Sequence, residues 1–207
     1  MALIGTHVKF ALDVADKYHI KDIDEYLSGT AYPDSRYVTK CARQLTHDSK
    51  FLEKSFATDD FKKGWQNHLL CDKMQWEVMK DVVCLDEKKI VQYDDIWIMI
   101  TAIKIIQDIS DLEKYSIAEY LPISVGYAEE IDEKMELLQK YYKVVNDFYG
   151  MEGNRIITDY KILFSAFDIP NDVQDKVISR CENIQNDEVM MKKILGIYPK
   201  MIEILRF

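Results

Sequence analysis

Apolar residues recur at helical spacing along most of the chain. Val8, Ala11, Leu12, Val14 and Ala15 fall on one side of a 3.6-residue spiral, and Thr6 predicts a capped first helix running to about His19. Asp22 predicts the cap of a short second helix, Ile23 to Leu27, ended by Ser28-Gly29. Thr30 to Tyr37 read as an ordered loop. Pro33 is expected to keep Tyr32 out of helical conformation and to set Asp34 on a stiff bend. Leu45 to Ser49 form another break, with Asp48 or Ser49 capping a short helix through Phe56. Thr58 then predicts a long helix from Asp59 to about Val83, with Trp65, Leu69, Trp76 and Met79 or Val83 as its apolar face. Gly64 inside that helix costs about 1 kcal/mol relative to alanine and predicts a close helix contact.

The later pattern stays helical. Asp94 or Asp95 caps Ile96 to Ile106, a segment apolar enough to be buried nearly all round. Pro122 predicts a break. Tyr127 to Phe148 form a charged amphipathic helix that ends near Gly150 and Gly153. Asn154 caps a helix through Phe167, Pro170 opens another at Val173, and Asp187 caps the last, through Leu205. Strand-like alternation with hairpin turns, internal repeats, glycine-rich phosphate loops and G-x-S-x-G elbows are not seen. The expected fold class is all-α, an antiparallel multi-helix bundle. It is expected to form a single domain over residues 1–207, with chemistry in 1–85 and a helical remainder in 86–207.

Composition narrows the function. The formal charge of -9 does not suit a large nucleic-acid surface, which needs clustered Lys and Arg. Cys41, Cys71, Cys84 and Cys181 form no C-x-x-C pair, so neither a zinc ribbon nor a redox motif is indicated. The first residues show no basic and apolar signal pattern, and no run approaches a membrane span. The expectation is a reduced, cytoplasmic protein without a transmembrane segment. The pattern fixes no oligomeric state.

The candidate chemistry lies early. The four histidines are His7, His19, His47 and His68, all in the first third of the chain. His68 and Asp72 are four residues apart, hence on one helix face, where an imidazole and a carboxylate can grip one divalent cation. Without a cation such a pair is an ordinary polar pair worth a few tenths of a kcal/mol (about 0.2–0.5). His7, Asp34 and His47 lie on separate segments and offer further nitrogen and oxygen ligands for a common point. His19, at a helix end, is expected outside the site.

Gly5-Thr6-His7-Val8, Ser28-Gly29-Thr30-Ala31-Tyr32-Pro33-Asp34, Leu45-Thr46-His47 and Asn67-His68-Leu69-Leu70-Cys71-Asp72 resemble, in that order, the zinc-dependent phospholipase C family. That family includes bacterial phosphatidylcholine-hydrolysing enzymes and the N-terminal region of glycosylphosphatidylinositol-specific phospholipase D, with single-strand zinc nucleases as structural relatives. The resemblance covers about residues 5 to 80. It implies an all-α phospholipase C-like fold in which Asp34, His47, His68 and Asp72 ligate one metal. His7 would hold a neighbouring metal, with Asp72 bridging. The chain departs from the family where a further His and an HxxxE pair would complete a three-zinc cluster, because no histidine follows His68. Glu77 or Asp81 are the acids left to stand in. One or two Zn2+ ions, or another divalent metal, are therefore expected.

The implied activity is metal-dependent hydrolysis of a phosphodiester or phosphomonoester, with a small phosphoester or phospholipid head group as substrate. A metal-activated water would attack phosphorus. Asp34 would orient it, and Arg36 or Arg43 would meet the transition-state charge. The adjacent His47-Asp48 pair offers an alternative, an HD-type metal phosphohydrolase. A second alternative is a non-catalytic helical protein with a degenerate metal site.

Overall fold

The computed structural model describes residues 3–55, 59–82, 91–114 and 135–205. These residues form α-helices and short 3-10 turns, with no strand among them. The chain is an all-α multi-helix bundle. Its helices are α1 (Ile4–Val14), α2 (Ile23–Ala31), α3 (Arg36–Thr39), α4 (Arg43–Thr46), α5 (Asp60–Val82), α6 (Asp95–Lys114), α7 (Met135–Tyr149), α8 (Tyr160–Ala166), α9 (Asn171–Gln185), α10 (Glu188–Leu195) and α11 (Ile197–Ile204). They gather into two compact units. One comprises residues 4–70 and 115–153, and the other residues 1–3, 71–114 and 154–207. Among the described residues no helix is long and apolar enough to cross a membrane.

The unit built on residues 4–70 is organised by the first turns of α5. Asp59 accepts from the Lys62 amide at 2.9 Å and so caps the helix; Thr58, the expected cap, lies outside the described residues. Asp60 ties this helix start to that of α2. Its carboxylate accepts from the amides of Lys21 (2.8 Å) and Asp22 (2.7 Å) and from Lys63 Nζ (2.6 Å). Burial alone would raise the Asp60 carboxyl pKa, but these donors outweigh it and hold it below the usual carboxylate range. Tyr32, Phe51, Phe61, Trp65, Leu69 and Leu138 pack into one apolar cluster, with Phe51 stacked on Trp65 at 4.2 Å.

Two glycines let α2 and α5 touch backbone to backbone. A Cβ on Gly64 would sit 1.9 Å from the Tyr26 carbonyl oxygen, and one on Gly29 would sit 1.8 Å from that of Phe61. The close contact expected at Gly64 is present. Gly29, however, does not stop α2, which Asp22 caps and which runs on to Ala31. Its glycine serves proximity rather than termination. The expected loop after it is also helical: a 3-10 turn, Tyr32–Ser35, leads straight into α3. Tyr32 keeps helical angles (φ -51, ψ -47) in spite of Pro33. Its ring is fully buried against Phe61 and Trp65, and this packing outweighs the pre-proline penalty.

Other boundaries shift for local reasons. The first helix begins at Ile4 rather than after Thr6, and gives way at Val14 to a 3-10 turn that ends in left-handed His19 (φ 49). Asp48 caps as expected, but over a 3-10 turn ending at Glu53.

In the second unit α6 packs on α9, and α10 packs on α6, α9 and α11. Asp94 caps α6 through the Trp97 amide at 2.7 Å, and residues 100–108 are buried without interruption, as their composition predicts. Asn154 does not cap the next helix. Asp159 takes the Ile156 amide at 2.9 Å in a 3-10 turn, and α8 starts at Tyr160. Asp187 caps α10, but the expected single last helix divides at Gly196. Pro199 has no amide hydrogen, and its ring would clash with the Leu195 carbonyl in a continuous helix. Pro122 and the segment Tyr127 to Lys134 lie outside the described residues.

Candidate metal centre

The geometry of α5 sets the site. Gly64 brings α2 against the helix, and one turn later His68 reaches the end of α2. Its Nδ1 lies 2.8 Å from the Thr30 carbonyl oxygen. A carbonyl only accepts, so Nδ1 carries the proton, and Nε2 of the neutral ring presents a lone pair. Thr30 is itself fixed: its hydroxyl donates to the Tyr26 carbonyl at 2.9 Å and lies 3.3 Å from that of Gly64.

His47 is delivered by a second clamp from the same helix. The Trp65 indole N–H donates to the Thr46 carbonyl at 2.7 Å, and Gln66 Nε2 donates to the carbonyls of Phe51 (2.8 Å) and Lys54 (2.5 Å). These bonds pin residues 46–54 beside α5. The His47 ring meets His68 edge-on, with centroids 5.2 Å apart, and its Nδ1 lies 2.8 Å from the Thr46 hydroxyl. Asp34, carried on the Pro33 turn, is 2% exposed. Its Oδ1 makes no hydrogen bond and lies 3.9 Å from His47 Nε2. That gap is too long for a hydrogen bond.

Asp34, His47 and His68 thus offer three ligand atoms within 4.8 Å of one another. His7, fully buried on α1, stacks on His68 with ring centroids 3.7 Å apart and planes 14° from parallel. Asp72 follows His68 by one turn of the same unbroken helix. Three of the five expected ligands, Asp34, His47 and His68, thus form one trio, and His7 lies against it through His68.

The other expected residues lie elsewhere. The Arg36 guanidinium sits 4.0 Å over the Tyr37 ring and donates to the Tyr37 hydroxyl. Arg43 is exposed at the start of α4, and no described contact brings its side chain to the trio. Asp48 is exposed and spends its carboxylate on the Lys50 amide at 2.9 Å. Glu77 is exposed and pairs with Lys80 at 2.5 Å; Asp81 is exposed further along α5. His19 is exposed at its left-handed turn.

Several partners were not foreseen from sequence. Tyr141 on α7 donates to the Ala31 carbonyl at 2.7 Å, and Tyr142 to that of Ser28 at 2.5 Å, so α7 holds the last turn of α2. Burial, then the Asp34 carboxylate and neighbouring tyrosines, push the Tyr141 phenol pKa well up, which keeps it a neutral donor. The only sequence trace of this arrangement is the paired Tyr141-Tyr142 on an apolar stripe.

Comparison with models of known protein families, with curated proteins and with solved structures finds no match to this chain.

Proposed function

We propose that the chain is a metal-dependent phosphoesterase that holds one divalent cation, zinc or a related ion, at Asp34, His47 and His68. The observation that carries this reading is the convergence of one carboxylate and two imidazoles, from three separate elements, with their ligand atoms within 4.8 Å of one another and Asp34 Oδ1 3.9 Å from His47 Nε2. The donor set is chemically suitable: two nitrogens and one oxygen, without thiolate, leave coordination positions open for water and substrate. A divalent ion bound there supplies Lewis-acid charge and lowers the pKa of water toward about 7.

The protein's own groups do the rest. His68 and His47 would hold the ion through Nε2. Asp34 would hold it as well and orient the attacking water. Arg36, half-buried two residues beyond Asp34, or Arg43, exposed at the start of α4, would meet phosphate charge. His7, stacked on His68, would supply a further ligand beside it. The order of the four motifs, with its likeness to the zinc phospholipase C pattern, supports a small phosphoester or phospholipid head group as substrate. Capping by Asp48 favours this reading over the HD type, which needs that carboxylate on the metal.

Metal content per chain, measured by mass spectrometry on the purified protein, tests the proposal together with turnover of bis-p-nitrophenyl phosphate. About one ion per chain is expected, lost in Asp34→Ala and His68→Ala and kept in Asp48→Ala. Chelation should abolish turnover, and added metal should restore it. Metal without turnover would support the non-catalytic alternative. Loss of metal in Asp48→Ala with retention in Asp34→Ala would support the HD type.

A further inference from the structure

The last turn of α2 ends on carbonyls that side chains from two other helices claim. A helix end leaves its final carbonyls short of intrahelical donors, and Pro33 has no N–H with which to continue the ladder. His68 of α5 donates Nδ1–H to the Thr30 carbonyl at 2.8 Å. From α7, Tyr141 donates to the Ala31 carbonyl at 2.7 Å, and Tyr142 donates at 2.5 Å to the Ser28 carbonyl, which also takes the Tyr32 amide. Ser28, Thr30 and Ala31 are buried, and so are the three donor rings. The same turn leads without a break into the Tyr32–Ser35 turn that carries Asp34. One short stretch of main chain therefore aims His68 and carries the acid of the trio. Next to burial, the Asp34 carboxylate is what pushes the Tyr141 phenol up, so this phenol feels the acid directly. α7 also packs on α3 and on the Tyr32–Ser35 turn, and Leu138 joins the Tyr32 cluster. Such packing keeps α7 in place but does not fix where a carbonyl points. A hydrogen bond does, because donor and acceptor must line up within about 3 Å.

We infer that Tyr141 and Tyr142 are positioning residues of the metal centre: their hydroxyls hold the end of α2 that aims His68 through the Thr30 carbonyl and carries Asp34. The value of this to a cation rests on the metal-site reading above. The coupling of the two phenols to His68 does not. Residues far beyond the four histidine and aspartate motifs then set the geometry of the trio, and they do so without touching a cation.

The test uses the full chain and the double variant Tyr141→Phe/Tyr142→Phe, which keeps both rings and removes both hydroxyls. Tyr160→Phe is the control, because it deletes a buried phenol bond to Asp108 in the other unit. The first arm is metal-free, with 15N-labelled histidine, and a His68→Asn variant assigns the His68 signals. They should shift in the double variant and stay at their native positions in Tyr160→Phe. The second arm is Co2+ titration followed by the visible spectrum. The double variant should bind about 10-fold more weakly, the low end of the range for groups that orient metal ligands, and Tyr160→Phe should bind as the native chain does. Unmoved His68 signals, or native Co2+ affinity, in the folded double variant overturn the inference. Equal effects of Tyr160→Phe overturn it too, since general loosening would then explain them. Should the double variant fail to fold, Tyr141→Phe alone carries both readouts. If the native chain takes up no Co2+, the phosphoesterase reading falls, and the His68 signals alone decide this one.

Discussion

The two compact units differ at the buried polar groups that matter most to each. In the unit made of residues 71–114 and 154–207, several buried polar side chains donate to neighbouring protein groups. Gln75 donates to Gln107 at 2.9 Å, Tyr160 donates to Asp108 at 2.7 Å, and Gln174 donates to the Ile169 carbonyl at 2.8 Å. Its two described cysteines, Cys71 and Cys181, are buried thiols. Burial pushes Cys181 up to about 12, and burial with Asp72 and Asp111 pushes Cys71 well up, so both stay protonated. In the unit made of residues 4–70 and 115–153, His68 anchors to a main-chain carbonyl and His47 to a hydroxyl, and the far edge of His47 lies 3.9 Å from the Asp34 carboxylate. A satisfied pair stabilises a fold. A buried acid held 3.9 Å from an imidazole, with no hydrogen bond at its Oδ1, stabilises less, and the proposed cation would account for that placement.

The contrast can be broken at its foundation. Gly64→Ala would drive a methyl into the Tyr26 carbonyl and the Thr30 amide, both of which are backbone, so α2 and α5 would have to part. A loss of about 3 kcal/mol, the upper end for overpacking, is expected in urea unfolding, with cation binding lost alongside. Gly196→Ala in the other unit meets nothing closer than 3.3 Å and should stay within about 1 kcal/mol.

A smaller effect separates the two kinds of buried polar group by sign. Gln75→Leu takes the donor from Gln107 Oε1 and should cost about 1–3 kcal/mol. Asp34→Asn removes a buried charge whose Oδ1 has no hydrogen bond, and should stabilise the metal-free chain by about 1 kcal/mol while abolishing cation uptake. Equal destabilisation by both variants would remove the distinction.

The smallest effect is a pH dependence. The Asp60 pKa is lowered in the native state, so its stabilisation is fully present above the ordinary aspartate value near pH 3.9. It fades as pH falls through the lower native value. The melting-temperature deficit of Asp60→Asn should therefore be clear at pH 7 and shrink below about pH 3.

What could be read from sequence follows from the range of each interaction. His68 and Asp72 were legible as a pair because helix geometry alone places them. The caps at Asp22, Asp48, Asp94 and Asp187 were legible because a cap acts within one turn. Gly29 was misread because a glycine marks either a helix end or a close approach, and the deciding Phe61 backbone lies far along the chain. Tyr32 was misread because a local proline rule met a buried ring. The partners that orient the histidines left almost no trace. Thr30 and Thr46 act on α5 or its ligands partly through carbonyl oxygens, which every residue possesses.

The glycine crossing has a further consequence. Where main chain rests on main chain, no rotamer stands between neighbours, and His68 takes its bearing from an atom that substitution at position 30 does not delete. Lineages that lose either glycine would be expected to surrender that bearing before the fold.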